Sequence, residues 1–198
     1  MDYPLHLSFK ILALAPQISI ADQAQRPVMY VRQKLFKFKE AVQVFRDESQ
    51  SQHLFDINAD RIIDWSARYT FSSTQGQVLG AVKRSGMRSL FAAHYTILDA
   101  QDQPVFEIEQ LNPWVGVVDG LFEQIPIVSI FSGYIFNPTY AVFRPGQKEA
   151  PVMNLVKKRT LLDTGFAIHA TGAPITPAEE GLVLLSAITV TLLERDRS

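Results

Sequence analysis

Between Gly181 and Leu193 lie thirteen residues without a charge, and their apolar members fall on every side of a helix. Leu182, Val183, Leu184, Leu185, Ala187, Ile188, Val190, Leu192 and Leu193 leave no polar stripe at 3.6 residues per turn. A helix of that kind must be buried all round. Its start is marked by Thr176-Pro177-Ala178-Glu179, which has the form of a capping box with proline at the first helical position. The spacing predicts a helix from Pro177 to about Glu194, with Glu179 and Glu180 near its positive end and Arg195 and Arg197 beyond its negative end. A strand is the competing reading, because Ile188-Thr189-Val190-Thr191-Leu192 also alternates. A membrane span is not, since about 20 apolar residues are needed. The second apolar stretch, Leu111 to Phe136, contains Asp119, Glu123 and prolines.

The remainder reads as short strands separated by turn-forming clusters. Candidates are Leu5 to Ala13, Gln17 to Ile20, Val28 to Lys34, Ala41 to Phe45, Gln52 to Ile57, Ile62 to Phe71, Gln77 to Lys83, Ala92 to Leu98, Val105 to Gln110, Thr139 to Phe143, Val152 to Lys157 and Gly165 to His169. Links this short exclude most crossover helices, so neighbours should pair antiparallel in a barrel or sandwich. A sheet wrapped around the final helix is the arrangement that buries all its faces. The expectation is therefore mainly β: one domain over 1–198, a closed antiparallel β-barrel of about twelve strands around a central hydrophobic C-terminal helix.

One repeat supports a barrel of two halves. Ile20-x-Asp22, five residues, Val28-x-x-Val31-x-Gln33 recurs as Ile97-x-Asp99, five residues, Val105-x-x-Ile108-x-Gln110, with Pro27 and Pro104 also matched. Each reads as a hairpin in which Asp bonds to turn backbone and proline opens the second strand. Convergent turn chemistry is the plainer alternative.

Nineteen basic against twenty acidic residues give a net charge of −1, so no global field attracts nucleic acid and any anionic partner must meet a local patch. The absence of cysteine excludes disulfides, thiolate metal sites and a cysteine nucleophile. The start, Met1-Asp2-Tyr3-Pro4, lacks a positive leader region, and a cytoplasmic chain able to sit peripherally at a membrane is expected.

Tyr30-Val31-Arg32-Gln33-Lys34-Leu35-Phe36, Leu79-Gly80-Ala81-Val82-Lys83-Arg84, Tyr95-Thr96-Ile97-Leu98-Asp99 and the closing helix occur in an order that resembles the superfamily of tubby C-terminal domains, phospholipid scramblases and LURP-one-related proteins. The likeness is greatest to the LURP-one-related members and runs from about Leu5 to Leu193. It implies a twelve-stranded barrel threaded by a hydrophobic helix. Tubby domains bind phosphoinositide headgroups through basic residues, matched here only loosely by Lys83, Arg84 and Arg88. No acidic calcium loop of the scramblase kind is present.

Lys83-Arg84-Ser85-Gly86-Met87-Arg88 is the sharpest charge cluster, and three cations beside a Ser-Gly turn can hold a phosphate. The plain alternative is a solvated hairpin end, where ion pairs contribute about 0–1 kcal/mol. Lys157, Lys158 and Arg159 form a second cluster, and Lys37 and Lys39 a ladder opposite Phe36 and Phe38. The long segment between Leu111 and Pro138 carries Trp114, Phe122, Phe131, Tyr134 and Phe136 and reads either as a cover over the barrel or as an apolar interaction segment.

Catalytic signatures are missing: there is no G-x-S-x-G, P-loop, H-E-x-x-H or G-x-G-x-x-G. His6, His53, His94 and His169 are scattered, and Glu107 and Glu109 look like the ordinary polar side of a strand. No metal site, cofactor or enzymatic activity is expected. The reading is a binding or scaffolding domain whose partner is a phospholipid headgroup or membrane surface, or alternatively a protein partner or second copy meeting the 111–138 segment.

Overall fold

The computed structural model describes residues 1–10, 15–33, 41–60, 67–84, 93–111, 139–159 and 164–195. Twelve strands follow in chain order: β1 (Leu5–Phe9), β2 (Gln17–Ala21), β3 (Pro27–Gln33), β4 (Ala41–Phe45), β5 (His53–Ala59), β6 (Arg68–Ser73), β7 (Val78–Arg84), β8 (His94–Asp99), β9 (Pro104–Leu111), β10 (Thr139–Phe143), β11 (Met153–Arg159) and β12 (Thr164–Ala170). One helix, α1 (Pro177–Arg195), closes the described chain. Each strand pairs antiparallel with its sequence neighbours, and β1 pairs with β12, so the sheet is a closed barrel without edges.

Turn chemistry sets the register. Asp22 Oδ1 accepts the N–H groups of Ala24 and Arg26 at 3.0 and 2.9 Å. Asp99 Oδ1 accepts those of Gln101 and Gln103 at 2.8 and 2.9 Å. Both turns end on a left-handed residue, Gln25 (φ 60°) and Asp102 (φ 62°), and both strand pairs are bulged just before the turn, at Ile20/Ala21 and Ile97/Leu98. The match continues to the far end of each hairpin. Gln33 donates its N–H to the Pro16 carbonyl at 3.0 Å, and Gln110 to the Ala93 carbonyl at 2.9 Å. The repeat is thus structural, and the two copies stand six strands apart, on opposite walls of the barrel.

Twelve strands enclose more space than wall side chains fill, since eight already suffice for a packed interior. α1 fills it. At its start Thr176 and Glu179 form the reciprocal capping box: the Thr176 N–H donates to Glu179 Oε2 at 2.8 Å, and the Glu179 N–H to Thr176 Oγ1 at 3.3 Å. Leu182 meets β7 at Gly80, where an added Cβ would lie 2.7 Å from the leucine and 2.4 Å from the Leu98 carbonyl oxygen. On the opposite wall Leu184 and Ile188 pack on Leu5, Ile20, Val28, Met29 and Ile168, leaving no space wide enough for water. Every residue from Leu182 to Leu192 is buried, so each large aliphatic side chain contributes about 1.5–3 kcal/mol. The helical reading of 177–194 therefore prevails over the strand. Thr189 and Thr191 satisfy their hydroxyls on the Leu185 and Ala187 carbonyls. Among the described residues no helix is long and apolar enough to cross a membrane.

Candidate functional site

In a closed ring of antiparallel neighbours the odd-numbered strands all run one way. The last residues of β1, β3, β5, β7, β9 and β11 therefore share one end of the barrel, here called the odd-strand end. The other, the turn end, carries the five links that follow even-numbered strands, and the start of α1. Tyr3 and Arg144 secure that start: Tyr3 Oη donates to Glu180 Oε1 at 2.7 Å, and Arg144 Nη1 to Glu179 Oε1 at 2.7 Å. The Arg144 bond, with the capping contacts, draws the Glu179 carboxyl down to about 2. Burial and the neighbouring Glu180 push the Tyr3 phenol up.

The odd-strand end gathers the predicted cations that are described. Lys83 is exposed on the outer wall, as is Arg32 at the end of β3. Arg84 and Lys157 are half-buried and share the inward-facing register of Val82 and Leu155. Lys158 faces outward and its Nζ lies 3.2 Å from His6 Nδ1. Burial, then the Lys158 charge, hold His6 and His169 below the usual histidine range, so both are neutral near pH 7. Lys83 and Lys157 sit four strands apart, about 19 Å around the wall at about 4.8 Å per strand. One phosphate cannot touch both. Arg88, the side chain of Arg159, the Lys37–Lys39 ladder, and Trp114, Phe122, Phe131, Tyr134 and Phe136 lie outside the described residues.

Strand pairing also joins groups that are separate in sequence. His94 stands directly opposite Glu109 across β8 and β9, and Glu107 is its diagonal neighbour on the same outer face. His94 Nε2 is 3.4 Å from Glu109 Oε1 and 3.9 Å from Glu107 Oε2, and Lys148 Nζ lies 2.6 Å from Glu109 Oε1. Only 11% of the His94 side chain is exposed, and about a quarter of each carboxylate side chain, 25% and 24%. The reading of Glu107 and Glu109 as an ordinary polar face missed this grouping. Counting backward from the Asp99 turn sets His94 against Ile108, and only the bulge at Ile97/Leu98 moves the pairing by one residue to Glu109.

Neither the protein-family models nor the curated proteins contain a match to this chain.

Proposed function

We propose that this is a non-enzymatic attachment domain that docks the odd-strand end of its barrel on an anionic phospholipid surface. The observation that carries the reading is the placement of basic residues at the ends of strands sharing one rim, spaced for an array of headgroups rather than for one. The segments joining those strand ends, 11–14, 34–40, 61–66, 85–92, 112–138 and 160–163, add apolar character by sequence. They contain both tryptophans of the chain, Trp65 and Trp114, and six of its 13 phenylalanines. Cations beside aromatic and aliphatic groups suit a headgroup boundary. The resemblance to tubby domains, which bind phosphoinositide headgroups through basic residues, agrees with it.

Vesicle sedimentation tests the proposal. Binding to phosphatidylserine-containing vesicles, absent on pure phosphatidylcholine and weakened by salt, is the expected result. Equal failure on both removes it. A protein partner or second copy at the same end is the other reading, favoured if light scattering without lipid shows mass rising with concentration and Trp114→Ser abolishes the rise.

A further inference from the structure

We infer that His94, Glu107 and Glu109 form a binding site for one divalent transition-metal ion, with zinc the best-fitting probe. The three ligand atoms all lie within 4.8 Å of one another. Donors around a tetrahedral zinc, bound at about 2.0–2.2 Å, stand about 3.4 Å apart. The separation from His94 Nε2 to Glu109 Oε1 already has that value, 3.4 Å, and the one to Glu107 Oε2, 3.9 Å, is about 0.5 Å too long. Rotation of the Glu107 carboxylate would shorten it, and the same rotation would bring its oxygen toward that of Glu109, from which it stands within 4.8 Å. One imidazole nitrogen with two carboxylate oxygens is a borderline donor set, which selects zinc-like ions over magnesium or calcium. Water completes the coordination.

The matched hairpin supplies an internal control. At the same three positions β2 and β3 carry Gln17, Tyr30 and Arg32, with Gln17 opposite Arg32 as His94 is opposite Glu109. There Tyr30 Oη donates to Gln17 Oε1 at 2.7 Å, and no metal-ligating group is present. The backbone is shared, so the metal-binding chemistry of β8 and β9 is not a by-product of the hairpin. Two carboxylates converging on an imidazole bring like charges together, and Lys148, on an exposed turn, is the one described cation bonded to them. A bound ion would take over that charge balance and release the lysine.

The test is isothermal titration of the full chain, stripped with chelator, with zinc chloride, alongside cobalt substitution. One zinc per chain is expected, with visible cobalt absorption of tetrahedral strength. His94→Gln and the near-isosteric Glu107→Gln should each weaken binding about a hundredfold, because each removes a direct ligand. Lys148→Ala should tighten it several-fold by removing the competing ammonium. His6→Ala with His169→Ala should change it less than twofold. The assignment is overturned if wild type binds no zinc stoichiometrically, if both ligand variants bind as wild type does, or if the His6/His169 variant loses the site.

Discussion

The two ends of the barrel divide the work of the chain. At the turn end the links 22–26, 46–52, 74–77, 100–103 and 144–152 contain a single large apolar residue, Val152, and Asp22, Asp47, Ser73 and Asp99, in or just before the first four, accept backbone N–H groups of those turns. The helix cap, Arg144 and Tyr3 complete a network there that specifies register and helix entry. At the odd-strand end the described strand ends carry Lys10, Arg32, Arg68, Lys83, Arg84, Lys157 and Lys158, against Asp60 and Glu109. Of these Lys10 is paired with Glu48 and Arg32 bonded to Gln50, both reaching over from the link 46–52, and Glu109 is paired with Lys148. Short-range bonds from side chain to backbone set the register at one end, whereas at the other the charged side chains are met by groups distant in sequence, Lys158 by His6 and Lys10 by Glu48.

That division is broken or sharpened most strongly by charge removal. Arg32→Gln together with Lys83→Gln should lower partitioning onto anionic vesicles about thirtyfold, at about 1 kcal/mol for each cation. Arg26→Gln with Arg46→Gln, at the turn end, should change it less than twofold. Sedimentation of both pairs decides whether the ends differ.

Acid titration probes the turn end alone. The folded pKa of Glu179 lies below its ordinary value, so its contribution is full above about pH 4.5 and is lost as pH falls toward about 2. Denaturant midpoints of wild type and Glu179→Gln should therefore differ at pH 6 and converge as pH falls through that window. A gap that widens on acidification would contradict the account. Smaller again, Thr176→Ala should cost about 1 kcal/mol of stability by removing the cap, with vesicle affinity unchanged. Smallest is Ser186→Ala inside the lumen. The Ser186 hydroxyl is buried without a hydrogen-bond partner among the described residues, so its removal should raise stability by up to about 1 kcal/mol. Chemical denaturation checks both.

Much of the architecture was legible because it rests on local signals. Thr176 to Glu179 announced the helix, the Asp22 and Asp99 turns announced two hairpins, and period-two alternation located all twelve strands to within a few residues at most ends. Burial on every face then required a sheet around α1. The candidate site was legible only in part. Lys83, Arg84, Lys157 and Lys158 were found as charge runs, but sequence could not reveal that Arg84 and Lys157 turn inward while Lys158 turns to His6. Those directions depend on pairing across the barrel. The His94 cluster was missed for the same reason, as it spans sixteen residues of chain and exists only once the hairpin register, bulge included, is applied.

The most direct measurement of the central claim is tryptophan quenching by brominated acyl chains. Both tryptophans, Trp65 and Trp114, belong to segments that join strand ends at the proposed docking face. Adding the full chain to anionic vesicles with bromine placed shallow in the bilayer should quench its fluorescence, and high salt should restore it. Unquenched emission from vesicle-bound protein would show that a different face meets the lipid and would contradict the account.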